Sequence, residues 1–145
     1  MRRWLGIGLI ALALSAAGCV QTPAADGVQI LNAWARPAPE AGGTTAVYFR
    51  IVNAGDRPDR LVGGESPAAE IMEIHRTMMD GDVMQMMPVS GIDLAPGETV
   101  DFEPGGFHVM LIGLSGSLQP GESVALILWF EQAGEIRVSA EVRQP

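Results

Sequence analysis

The spacing of turn residues constrains this chain more than any other feature. From Val28 onward, Pro37-Ala38-Pro39, Gly42-Gly43, Asn53-Ala54-Gly55-Asp56, Asp80-Gly81, Pro96-Gly97, Pro104-Gly105-Gly106 and Pro120-Gly121 break up the apolar runs. Each cluster is a recognisable turn chemistry, and the runs between them have strand rather than helix length. The pattern predicts strands over 28–33, 44–53, 60–65, 70–79, 83–88, 98–102, 108–114, 123–131 and 135–143. The last alternates cleanly, with Val138, Ala140 and Val142 on one side and Arg137, Ser139, Glu141 and Arg143 on the other. That is the period of a strand with one buried face. Val124 to Phe130 is apolar at every position, as in a strand covered on both sides or one bearing aromatics at a sheet edge. No segment sustains a 3.6-residue period. With 48% apolar residues in 145, the chain can bury one core, and neither an internal repeat nor a second domain is visible. The expected fold is an all-β sandwich or barrel of about seven to nine strands.

The N-terminus is expected to lie outside that fold. Arg2 and Arg3 precede an apolar run from Trp4 to Ala17, shorter than the roughly 20 residues a spanning helix needs and matching a secretory signal. Leu14-Ser15-Ala16-Ala17-Gly18-Cys19 then reads as a lipoprotein processing site, with residues 1–18 removed and Cys19 lipidated. Residues 19–27 form a tether, and 28–145 the folded domain. Because Cys19 is the only cysteine, its lipidation leaves no thiol and no disulfide in the mature protein. The expected location is extracytoplasmic, in the periplasm, with the membrane reached through the lipid anchor.

The formal charge of −8, with 17 acidic residues against nine Arg and no Lys, argues against nucleic acid or an anionic membrane surface as a partner. It also raises the local concentration of cations.

Six of the eight methionines fall between Met72 and Met87, beside His75, one of the chain's two histidines. Methionine is a soft core filler, so Met72 reads as an apolar-side residue, and Met78, Met79 and Met84 as core or rim. Asp80-Gly81 signals a two-residue hairpin. If the turn closes there, Met79 faces Asp82, Thr77 faces Met84 and His75 faces Met86, presenting an imidazole and a thioether from one face. A slip of one residue would destroy that pairing. In the strand over 108–114, His108 and Met110 point the same way because they are two residues apart. Pro104-Gly105-Gly106 lets the chain turn sharply into that strand, at the end of the sheet where a ligand could reach it.

If the two pairs converge, they form a neutral N₂S₂ set. Two thioethers favour copper(I) over zinc, magnesium or calcium. A blue-copper electron-transfer centre would require a thiolate, which Cys19 at the processing site does not supply. The chemistry therefore suits holding and passing on a cuprous ion in an oxidising compartment, where thioethers do not form disulfides.

These residues carry a recognisable pattern. His75, ten residues, Met86, twenty-one residues, His108, one residue and Met110 resembles the H-x10-M-x21-H-x-M signature of periplasmic PCuAC-type copper chaperones. Asn32-Ala33-Trp34-Ala35-Arg36-Pro37, Tyr48-Phe49, Asn53, Asp59-Arg60-Leu61, Glu73-Ile74-His75, Pro104-Gly105-Gly106-Phe107-His108 and Leu111-Ile112-Gly113-Leu114 resemble the family's blocks over residues 28–143. The resemblance implies a cupredoxin-like Greek-key β-barrel without a blue-copper centre. It implies one transferable copper(I) ion held by His75, Met86, His108 and Met110. It also implies delivery to the Cu(A) centre of cytochrome c oxidase, directly or through another copper chaperone. The expected function is that of a carrier, not an enzyme. The competing reading is a structural or adhesive β-sandwich without metal, which the fold alone would permit. A periplasmic metalloenzyme would need a nucleophile–base arrangement that the sequence does not display.

Overall fold

The computed structural model describes residues 27–145, so the leader, Cys19 and all but the last tether residue lie outside the described residues. Ten strands follow in chain order: β1 (Val28–Ala35), β2 (Thr44–Asn53), β3 (Asp59–Glu65), β4 (Ala69–Asp80), β5 (Val83–Pro88), β6 (Ile92–Leu94), β7 (Thr99–Phe102), β8 (Phe107–Leu114), β9 (Ser123–Phe130) and β10 (Gly134–Val142). They form one sheet in the order β5-β4-β8-β7-β2-β1-β10-β9-β3-β6, with β8 also pairing β2. Nine strands coincide with expected ones to within a residue or two. The tenth, β6, is too short for alternation to register, although Ile92 and Leu94 are buried around an exposed Asp93.

Alternation determines which side of the sheet turns inward. Val47, Phe49 and Ile51 of β2, Val109 and Leu111 of β8, Leu126 and Leu128 of β9, and Ala140 and Val142 of β10 are buried. They join Ile74 of β4 and Leu61 of β3 in a single cluster. Strands from both halves of the order thus share one core, and the sheet curls around it. Each large aliphatic side chain fully buried there contributes about 1.5–3 kcal/mol. Phe49 and Phe102 stack across β2 and β7 with centroids 4.5 Å apart. The β9 strand has one buried face, not two: Leu126 and Leu128 point inward, while Ala125 and Trp129 are exposed. It lies between β10 and β3, away from both sheet edges. The indole extends over Gly63, where a Cβ would stand 3.6 Å from the ring.

Two polar devices hold loops to this frame. Asp59 is buried, and its carboxylate accepts backbone N–H bonds from Arg60 at 2.7 Å, Gln132 at 2.9 Å and Ala133 at 3.0 Å, clamping the β9–β10 turn onto β3. The Asn53 amide donates to the carbonyls of Arg57 and Leu94 and accepts from the Gly55 N–H.

A bulge in β1 bears on the site. The register against β2 shifts between Leu31 and Trp34, and Asn32 takes a left-handed φ of 55°. The extra residue sets Trp34 opposite Tyr48. The two rings meet with centroids 4.6 Å apart.

Candidate metal centre

Pairing of β4 with β8 places His75 directly opposite His108, with ring centroids 5.8 Å apart. Two residues along the same pair, and so on the same face, Met110 stands opposite Glu73. His108 is 4% exposed, and Met110 is half-buried. The histidines thus meet each other across two strands far apart in sequence, a convergence no local spacing could supply.

Met86 reaches this face differently from the expectation. The turn is centred on Gly81 and Asp82, with Asp80 opposite Val83, so the register is displaced by two residues. His75 therefore faces Pro88, and Met86 faces Thr77. Gly81 has φ 62°, and Asp82 is not among the non-glycine residues with positive φ. That combination suits a turn with glycine at its first central position, whereas the expected turn would have put Asp80 there. An even displacement preserves the face, so Met86 stays on the His75 side as a diagonal neighbour. Diagonal Cβ atoms lie about 7–8 Å apart or somewhat less, within reach of a long thioether. Met86 is 58% exposed, the outermost of the four. The remaining described methionines divide: Met72 packs against the core as expected, whereas Met78, Met79, Met84 and Met87 are exposed and take no part in it.

Each imidazole is anchored through one nitrogen. The Nε2 of His75 lies 2.7 Å from a Glu73 carboxylate oxygen, and the Nδ1 of His108 lies 3.2 Å from the Gly106 carbonyl oxygen. Both oxygens accept, so these nitrogens donate, and a neutral ring then bears its lone pair on Nδ1 of His75 and on Nε2 of His108. The His75 Nδ1 is buried without a partner. Metal-binding histidines characteristically hold their second N–H on a carboxylate or backbone carbonyl in this way. Burial pushes the His108 pKa below its ordinary value, and the nearby His75 adds to this, against an opposing effect from the Gly106 hydrogen bond. The neutral form that can bind a metal is thereby favoured.

Glu73 and the Gly106 carbonyl did not emerge from the sequence as orienting groups. Glu73 was legible in principle, being two residues from His75 and hence on its face. Tyr48 was not. Its ring lies 6.3 Å from that of His108 and is backed by Trp34, walling the inner side of the site. The approach to His108 is therefore more closed than the preceding Pro-Gly-Gly turn suggested. Among the described residues no group of three or more His, Cys, Asp or Glu is placed to hold a metal ion. The thioethers of Met110 and Met86 on this face are soft donors, and soft donors select a soft ion.

A family model described as "Putative lipoprotein LpqE-like" matches residues 28–142. The chain belongs to the LpqE-like family. A relative in Leifsonia xyli subsp. xyli, named "Putative lipoprotein Lxx21020", is 32% identical over 140 residues, covering 94% of this chain and 83% of its own. An uncharacterized protein of Rickettsia prowazekii is 31% identical, covering 83% of this chain and 68% of its own. Among solved structures, the copper-bound PCuAC domain from PmoF2 is similar with TM-score 0.70 and 31% identity, over 82% of this chain and 94% of that domain. The copper(I) form of DR1885 from Deinococcus radiodurans has TM-score 0.54 and 30% identity, over 88% and 83% of the two chains. The LpqE-like chain thus has the PCuAC-type, cupredoxin-like all-β fold that its sequence blocks resemble.

Proposed function

We propose that this LpqE-like protein is an extracytoplasmic carrier of copper(I), holding one ion through His75, His108, Met110 and Met86. The observation that carries the reading is the facing pair of imidazoles, each tethered to an oxygen acceptor through one nitrogen with the other left open. The copper-bound relatives support the choice of ion.

The geometry suits a carrier. His108 is buried and its ring is fixed, Met110 is half-buried, and Met86 stands exposed on the edge strand. Release proceeds by ligand exchange: a donor atom of the receiving protein displaces the Met86 thioether, the ion then leaves Met110 and the imidazoles, and no electron moves. The receiving protein is another copper chaperone or the cytochrome c oxidase subunit that bears Cu(A). Lipidation of Cys19 holds the carrier at a membrane, in keeping with the family's lipoprotein description.

Competition with a copper(I) chelator tests the site. The chain binds one equivalent, and changing Met86→Ile together with Met110→Ile weakens binding by at least about 100-fold, the scale of losing soft first-coordination ligands. Wild-type affinity in that double variant would show that the thioethers are not ligands, and copper-independent behaviour throughout would favour a purely structural β-sandwich.

A further inference from the structure

The hairpin beyond the site has features that the four-ligand reading does not use. Pairing of β4 with β8 ends with Arg76 opposite Phe107 and a last bond from the Thr77 N–H to the Gly106 carbonyl at 3.0 Å. From Met78 outward the hairpin is thus a two-stranded ribbon with no further strand beside it among the described residues. A Cβ at Gly81 would meet nothing within 4 Å, so the tip stands in solvent. Such ribbons gain little stability from their own contacts. Yet the β4–β5 hairpin carries five methionines, Met78, Met79, Met84, Met86 and Met87, each exposed by 47–62%. Packing does not account for them.

Register sorts them into two sets. Met79 stands directly opposite Met84, and Met86 opposite Thr77, on the face that holds His75. Met78 opposite Gln85 and Met87 opposite Arg76 lie on the other face. On the His75 face, thioethers therefore run from the tip pair Met79/Met84, past Met86, to the two imidazoles and Met110. Directly opposed residues have Cβ atoms about 4.5–5.5 Å apart, and the flexible methionine side chain lets two sulfurs converge on one ion. The exposed carboxylates of Asp80 and Asp82 flank the tip and favour a cation there.

We propose that Met79 and Met84 form a second, weaker copper(I) position at the hairpin tip, from which the ion passes over Met86 to the His75/His108/Met110 position. Two thioethers hold the ion loosely, and a donor atom from the delivering or receiving protein completes its coordination. Transfer along the ladder exchanges one neutral sulfur for the next, so neither the charge nor the oxidation state of the ion changes. The proposal rests on the copper(I) reading of the main site.

The test is titration of the full chain, labelled with ¹³C at the methionine methyls, with silver(I) as a redox-inert soft monovalent probe. The first equivalent should shift the methyl signals of Met86 and Met110. The second should shift Met79 and Met84 while leaving Met78 and Met87 in place. In Met79→Ile/Met84→Ile, affinity for the second equivalent should fall about tenfold or more, with the first unchanged. A second equivalent that leaves Met79 and Met84 unmoved, or shifts Met78 and Met87 equally, overturns the tip position and leaves the ribbon as a plain contact surface. Failure of Met86 and Met110 to respond to the first equivalent overturns the main site, and the relay with it.

Discussion

At the residue scale, the two histidines differ. His108 is walled by Tyr48 and bonded to Gly106 through Nδ1, while His75 is held by Glu73. Because burial lowers the His108 pKa from its ordinary 6.5, the unfolded chain binds a proton there more readily than the folded one. Stability of the metal-free protein should therefore rise with pH through the window below about 6.5. It is lost on acidification until pH reaches the lowered folded value, below which both states are protonated. Urea unfolding of the metal-free chain and of His108→Gln across this range checks the point. The variant should lose the part of the slope that His108 supplies, and identical slopes would remove His108 as its source. Of the proposed site, the shared face of His108 and Met110 was legible from spacing. The orienting oxygens were less so: one is a backbone carbonyl, which has no signature in residue identity, and the other is an ordinary strand glutamate.

At the scale of elements, the turns made the strands readable, and the same turns misplaced one register. Asp80-Gly81 reads as a turn signal, but glycine takes the first central position with Asp82 beside it, sliding the hairpin by two residues. Parity survived, which is why Met86 keeps its face. The β1 bulge was not legible, because an Asn within an apolar run has no periodic signature. Its φ of 55° lies where Asn and Gly are tolerated and β-branched residues are strained. Asn32→Val should cost about 1–2 kcal/mol of stability, whereas Asn32→Gly should stay within a few tenths of wild type. Thermal unfolding of both variants checks this. Equal stability of the valine variant would mean that the bulge relaxes at little cost and that Trp34 is not held against Tyr48 by it.

At the scale of the molecule, one curled sheet supports the proposed site by pairing β4 directly with β8, two strands that β5, β6 and β7 separate in the chain. Which strands pair was not legible: alternation gives each strand an inner face but not a partner, and the His75–His108 pairing is a property of the assembled topology. The distant clamp at Asp59 belongs to the same scale. Its carboxylate serves three backbone N–H groups, two of them more than seventy residues away in sequence. Asp59→Ala should destabilise the domain by about 2 kcal/mol, and Asp59→Asn by less because one oxygen acceptor remains. The proposed copper site, on β4, β5 and β8, should keep its affinity. Denaturant midpoints paired with copper(I) titrations check both statements, and a large affinity loss in either variant would show the site and the clamp to be coupled.

X-ray absorption at the copper edge of the copper(I)-loaded protein reads the proposed ligand set itself. A cuprous edge with two sulfur and two imidazole-nitrogen scatterers around the ion is expected, with loss of sulfur scattering when Met86 and Met110 are replaced. A coordination sphere of nitrogen and oxygen alone, unchanged by that replacement, would contradict it.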